Sequence, residues 1–274
     1  MNIADRRRAF RALHEGGCFV IPNPWDKGSA RYLQDLGFKA LATTSAGAAW
    51  TLGHADGQVP RDEVLAHIAS IVEATDLPVN ADFENGHAHD PRDVAENVRL
   101  CAETGVAGLS IEDFTGNEND PLYDLDRAVE RVRAARRAID ASGTDVLLIG
   151  RAEGLLHGRT DFDDILRRLA AYAAAGADCL FAPAVSTREQ IARVVDTVAP
   201  KPVNVGIGAP NPLAVQDIAA LGVRRISLGG ALARVAWGGF MRAAKELAEG
   251  GFDGLAGAVR SAELNTLLDA GRTR

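Results

Sequence analysis

Cysteine is scarce in this chain of 274 residues, where Cys18, Cys101 and Cys179 lie far apart in apolar or helical stretches. Such placement offers neither a disulfide framework nor a thiolate metal cluster, and fits free thiols in a reducing cytosol. Aromatic residues make up 5% and nowhere interleave with a basic stripe, while the formal net charge is −7. Nucleic acid is therefore not an expected partner. No apolar run approaches the roughly 20 residues of a membrane span. Arg6-Arg7-Arg8 has no apolar segment behind it and reads as the solvated face of a first helix, not as a secretory signal. The expectation is a cytoplasmic protein that engages neither membrane nor nucleic acid. No linker, low-complexity tract or composition shift divides the chain, so a single domain over residues 1–274 is expected.

What the chain does have is alternation. Apolar segments at Cys18–Ile21, Lys39–Thr43, Pro78–Phe83, Val106–Ile111, Asp145–Ile149, Asp178–Phe181, Pro202–Val205 and Arg224–Leu228 are separated by helical patterns. An additional helix over Ala4–Glu15 precedes the first of them. Several helices end in glycine just before the next strand, as at Leu36-Gly37-Phe38 and Thr104-Gly105-Val106. That is a helix C-cap followed by a short turn. Near-continuous apolar runs, each followed by a helix, imply parallel strands covered on both faces. Eight such units predict an α/β fold, a (β/α)8 TIM barrel, with an open doubly wound sheet as the alternative. Beyond the eighth strand, Ala231–Glu249 and Leu255–Ala270 read as helices flanking Gly250-Gly251. A barrel needs one helix there. The surplus over residues 231–270 predicts a C-terminal extension used in packing against a second subunit.

In a barrel the active site lies at the C-terminal ends of the strands. Those positions hold Asn23-Pro24-Trp25-Asp26, Thr44-Ser45-Ala46-Gly47, Asp82, Glu84, Glu112, Arg151, Pro183, Asn204 and Gly229-Gly230. Asp82 and Glu84 are two apart in an extended segment, which puts both on one face roughly 6–7 Å apart. With Glu112 they form an all-oxygen acidic set suited to Mg²⁺ or Mn²⁺ with retained waters, and unsuited to zinc. The alternative is a set of carboxylates paired with a basic residue, for which Arg151 is the partner. Arg151 could equally clamp a substrate carboxylate or phosphonate with its planar fork. Ser45-Ala46-Gly47 is a small-residue loop whose N–H groups could approach an anionic oxygen. Asp56 sits in a loop between Gly53 and Gly57, where a turn role and a functional role are both open.

With these residues in view the chain resembles the isocitrate lyase / phosphoenolpyruvate mutase superfamily. The resemblance runs through NPWDKGSAR, ATTSAG, GHADG, VNADFENG, GLSIED, LIGRAEG and ISLGGAL, and so through nearly the whole chain. It implies Mg²⁺-dependent making or breaking of C–C or P–C bonds beside a 2-oxo acid, through an enolate-type species. It also implies a homotetramer in which the helix after the eighth strand swaps between subunits. Asp82 matches the direct metal ligand, and Glu84 and Glu112 match acids that hold metal-bound waters. Ser45, Ala46 and Gly47 match the carboxylate-binding loop, Arg151 the substrate-binding arginine, and Asp56 an aspartate near the reacting centre. Trp25, Thr44 and Asn204 are further expected substrate contacts.

Departures from that pattern narrow the chemistry. Lyases of the superfamily carry a Lys-Lys-Cys-Gly-His loop after the fourth strand, and here the loop from Phe114 to Tyr123 has neither cysteine nor histidine. Isocitrate and methylisocitrate cleavage are thus not expected. Glu118 is its one carboxylate of useful reach and the expected catalytic group of the loop. Glu84 stands where a second aspartate is usual, and Arg151-Ala152-Glu153 where Arg-Thr-Asp is usual. The expected activity is metal-dependent decarboxylation, hydrolysis or retro-aldol cleavage of a small 2-oxo acid. Phosphonopyruvate or phosphoenolpyruvate chemistry, with Asn117 or Asn119 serving the loop, is the enzymatic alternative. A 2-oxo acid binding protein with little turnover is a third reading.

Overall fold

Helix starts are written into the chain as side-chain caps. Asp26, Asp90, Asp124, Asp161 and Thr187 each accept a main-chain N–H from the first turn of the helix that follows. Each such cap contributes about 1 kcal/mol and fixes where a loop becomes a helix. The computed structural model describes residues 1–159 and 161–270. Its elements begin with α1 (Ile3–Glu15), β1 (Phe19–Ile21), α2 (Lys27–Asp35), β2 (Leu41–Ala42), α3 (Ser45–Thr51) and α4 (Arg61–Ala74). They continue with β3 (Val79–Ala81), α5 (Pro91–Glu103), β4 (Gly108–Glu112), α6 (Leu125–Ala141), β5 (Leu147–Arg151) and α7 (Phe162–Ala174). The remainder is β6 (Cys179–Phe181), α8 (Arg188–Val198), β7 (Val203–Gly206), α9 (Val215–Ala220), β8 (Arg225–Ser227), α10 (Ala231–Ala248) and α11 (Ser261–Ala270).

All eight strands are parallel, and β2 through β8 pair in sequence order. β8 then pairs with β1, Arg225 standing opposite Phe19. β1 and β2 meet through the Ala42 N–H, which donates to the Pro22 carbonyl at 3.0 Å. Next to it the Asn23 amide donates to the Thr43 carbonyl at 2.8 Å. The sheet therefore curls on itself into the expected (β/α)8 barrel, and the open-sheet alternative falls.

The apolar core has two parts. The larger lies between strands and helices and includes Ile68, Val98, Leu109, Ile165 and Val203. A smaller group, Ile21, Leu147, Ile149 and Cys179, comes from the opposite strand faces and is stoppered by Phe10 of α1. Gly108 makes that stopper possible. A Cβ there would lie 2.7 Å from both Phe10 Cε1 and Asn80 Oδ1. The extra N-terminal helix thus closes the barrel at the ends where the strands begin.

Two local expectations change. Ser45-Ala46-Gly47 is not a loop but the first turn of α3, whose Thr44 hydroxyl accepts the Gly47 N–H at 3.3 Å. The alanines that follow favour helix more than one glycine opposes it. The last helix starts at Ser261 instead of Leu255, after a single 3₁₀ turn at Asp253–Leu255. Gly254 and Gly257 weaken that stretch as helix. α10 presents Val235, Trp237, Phe240 and Met241 as exposed side chains in the isolated chain. Among the described residues, no helix is long and apolar enough to cross a membrane.

Candidate active site

The ends of β3, β4 and β5 deliver charge to one place. Asp82 follows β3, Glu112 closes β4 and Arg151 closes β5, with Glu112 and Arg151 paired directly across the ladder. The Arg151 fork is shared among three acids. Nη1 lies 2.6 Å from Asp82 Oδ1, Nη2 3.0 Å from Glu112 Oε2, and Nε 2.9 Å from Glu153 Oε1. Asp82 is held on two further sides: its own N–H donates to the Thr43 hydroxyl, and its Oδ2 accepts the Ser45 N–H at 3.0 Å. Behind them Asp113 accepts from Arg168, from the Tyr172 hydroxyl and from the Glu153 N–H, anchoring the segment that carries Glu153.

One guanidinium does not neutralise this cluster. Burial, then Asp82 and Asp56, push the Glu84 carboxyl up to about 8. Burial also raises Glu112 and Glu153, against the pull of Arg151. Burial alone would lower the Arg151 pKa, but Glu112, Glu153 and Asp82 outweigh it and hold the guanidinium charged. Glu84 also adopts a left-handed backbone at φ 47°, a conformation that costs a non-glycine residue roughly 1–3 kcal/mol. Backbone strain and the raised carboxyl fall on the same residue, which is mostly protonated near neutral pH.

Above this cluster and down the barrel axis opens a cavity of about 450 Å³. Asp56, Asp82 and Arg151 line its mouth, with Asn80, Ser227 and Arg225 deeper. Phosphoenolpyruvate phosphomutase is the family whose model matches residues 10–248. The chain belongs to that family. A candidate lyase/mutase of Burkholderia cenocepacia J2315 superimposes with a TM-score of 0.94 at 48% identity, covering 97% of each chain. Oxaloacetate acetylhydrolase, solved with its product oxalate, gives 0.86 at 26% identity over 98% of this chain and 96% of its own. An oxaloacetate decarboxylase of Rhodopseudomonas palustris is 31% identical over 238 residues, covering 82% of this chain and 77% of its own. This phosphomutase-family chain is accordingly an enzyme of the superfamily that makes or breaks C–C or P–C bonds.

In this phosphomutase-family barrel the residues singled out from the sequence take distinct places. Ala46, Asp56, Asp82 and Arg151 line the cavity. Asp56 is exposed as a residue, yet its carboxyl meets the Ser45 side chain at the mouth, where burial and then Asp82 raise its pKa. Thr44 caps α3, and Trp25 presses on Gly47, where a Cβ would come within 2.9 Å of the Trp25 Cβ. Asn204 is buried inside the barrel and donates to the Ser227 hydroxyl at 2.9 Å. Glu118 stands apart. Its side chain is 77% exposed and lies 3.1 Å from His157 Nδ1, whose ring stacks on Phe114.

The metal expectation divides in two. Asp82, Glu84 and Glu112 do gather at one rim and influence one another. Among the described residues, however, no three His, Cys, Asp or Glu side chains are disposed as a ready ion cage. A hard cation held directly by one carboxylate and otherwise through its own waters needs no such cage. The all-oxygen donors fit that arrangement, and a cation would favour the ionised form of carboxyls that burial now holds up. Glu153 stands out in the sequence only as a departure from the usual pattern, with no site role, and Arg225 escaped the sequence reading. Arg225 had a faint signal, since Arg225 and Ser227 alternate as polar positions in a strand otherwise read as covered on both faces.

Proposed function

We propose that this enzyme cleaves a C–C bond of a small 2-oxo acid of the oxaloacetate type, with Mg²⁺ or Mn²⁺. The observation that carries the reading is the acid cluster around Arg151, which gathers more carboxyl groups than one arginine can pair and lies beside the cavity. Asp82 would hold the cation directly, with Glu84 and Glu112 holding its waters. A bound divalent cation supplies stabilisation of the negative charge that develops on the 2-oxo oxygen. Arg151 keeps Asp82 and Glu112 aligned with each other. The Ala46 N–H, unlike those of Ser45 and Gly47, is not committed to Asp82 or Thr44 and is the loop donor available to an acid group. The ionisable side chains lining the cavity are carboxylates and arginines. That set suits loss of carbon dioxide from a 3-carboxy-2-oxo acid, because the departing carboxylate leaves its electron pair to the oxo group and needs no base.

The segment from Phe114 to Tyr123 is folded back by a Phe114–Leu122 bridge and rests on His157. In this reading it covers the mouth and excludes water once a ligand is bound. Glu118 acts there on the cover rather than on the reacting atoms. P–C bond chemistry is the second reading, favoured by the phosphomutase family match itself, with Asn117 and Asn119 on the same segment. A panel of oxaloacetate, phosphonopyruvate, 2-oxoglutarate and substituted malates, assayed for pyruvate release with Mg²⁺ and with EDTA, separates the two. Pyruvate from oxaloacetate, abolished by EDTA and restored by Mg²⁺, is the expected result. Glyoxylate from isocitrate or methylisocitrate would instead return the protein to the lyases.

A further inference from the structure

Barrel interiors are ordinarily packed with bulky branched side chains. Here the middle of the barrel carries Asn80, Ser110, Asn204, Arg225 and Ser227, all buried and all lining or adjoining the cavity. Arg225 is the anomaly among them. It is only 3% exposed, yet it lines the floor of the cavity. Its Nε donates to Asn204 Oδ1 at 2.9 Å and its Nη1 to Asn80 Oδ1 at 3.3 Å, both neutral acceptors. Each amide is turned so that its oxygen faces the guanidinium: the Asn80 Nδ2 donates to the Ala81 carbonyl and the Asn204 Nδ2 to the Ser227 hydroxyl.

A guanidinium has five N–H donors. Those two bonds leave both Nη2 hydrogens and one on Nη1 without an acceptor among the described residues. Among its titratable neighbours Asp82 attracts the guanidinium, but that carboxylate already bonds Arg151 and the Ser45 N–H, and burial outweighs the attraction. Burial pushes the Cys179 thiol up to about 11 and the His14 imidazole down to about 4, so both are neutral near pH 7. Arg225 and its neighbour Arg151 differ in this respect, since the Arg151 fork is already spent on Asp82, Glu112 and Glu153. Leaving a cation buried without a partner costs several kcal/mol. A carboxylate accepts from a guanidinium edge through two parallel bonds.

We propose that Arg225, backed by Asn80 and Asn204, is an anion subsite at the barrel floor that receives a carboxylate of the substrate. It rests on the reading of this cavity as the seat of a small 2-oxo diacid, and assigns the place of the second acid group. One acid group is taken at the mouth and the other at Arg225. The two asparagines act as positioning residues, holding the fork so that its open edge faces up the axis.

Malonate, a diacid without an oxo group, tests the subsite in metal-free protein by calorimetric titration. The wild type should bind malonate at least tenfold more tightly than Arg225→Met, with Arg225→Lys in between. Equal affinity in the wild type and Arg225→Met overturns the subsite. Should Arg225→Met fail to fold, the wild type alone decides: malonate should bind at least tenfold more tightly than its monoamide, and equal affinity overturns the proposal. A separate arm compares pyruvate release from oxaloacetate with Mg²⁺ in the wild type. Malonate binding that depends on Arg225, together with no turnover of any 2-oxo acid, keeps the subsite and removes the functional reading instead.

Discussion

Arg151 and Glu112 stand opposite one another on adjacent strands, and the guanidinium Nη2 lies 3.0 Å from the carboxylate. Ladder register makes this pair. Neither residue reaches the other by a flexible detour, because both are the last residues of their strands. Removing the cation should leave Asp82, Glu112 and Glu153 facing each other with burial unrelieved. Arg151→Met is expected to lower unfolding stability in urea by about 3–5 kcal/mol. Saturating Mg²⁺ should restore part of that loss, since a divalent cation neutralises the same acids. Unchanged stability without Mg²⁺ would count against the ion-pair account.

Asp82 and Glu118 should separate cleanly in kinetics. Asp82→Ala removes the expected direct ligand and should lower kcat/KM by on the order of 10²–10³-fold, with Mg²⁺ affinity lost alongside. Glu118→Gln alters only an exposed contact to His157. Its effect should stay within about tenfold of the wild type, smaller than the 10²–10⁴-fold expected for a general acid or base, and Mg²⁺ affinity should not move. A loss of that larger size in Glu118→Gln would place its carboxylate at the reacting atoms.

His14 gives a pH signature unconnected with the acids. Its Nδ1–H donates to the Phe10 carbonyl at 2.8 Å, while Phe10 and Phe19 pack edge-on against the ring. Burial first, and then Arg225, lower its pKa from 6.5 to about 4. The unfolded chain therefore binds more protons than the folded chain between those values. Stability should fall as pH drops from about 6.5 toward 4, by roughly 3 kcal/mol for this group alone. His14→Phe should flatten that window in urea titrations at successive pH values. An unaltered pH slope in the variant would refute the assignment.

The expectation of assembly rests on α10. Val235, Trp237, Phe240 and Met241 are exposed in the single chain, and Trp237 and Phe240 stack edge to face. Exposed large apolar side chains gathered on one helix are the expected contact surface for a second subunit. Sedimentation at micromolar concentration should give a species several times the 28.9 kDa chain, and Phe240→Asp should shift it toward the monomer. A wild-type protein that sediments as a monomer would contradict the expected tetramer.

The apolar runs, the glycine C-caps and the acids at strand ends are all local, and each was legible from neighbouring residues. Strand period, helix length and turn chemistry act over a few residues, so the barrel and the position of Asp82, Glu112 and Arg151 at its rim followed from sequence. The identity of Ser45–Thr51 as helix did not, because a cap and several alanines compete there with glycine on nearly equal terms. Arg225 and Asn80 belong to β8 and β3, far apart in the chain, and meet only because the sheet closes into a barrel. The same closure decides which acids share the Arg151 fork and leaves Glu118 outside the cavity. Contacts across a closed sheet depend on register and on interior volume. Those are properties of the whole ring of strands, and no single segment encodes them.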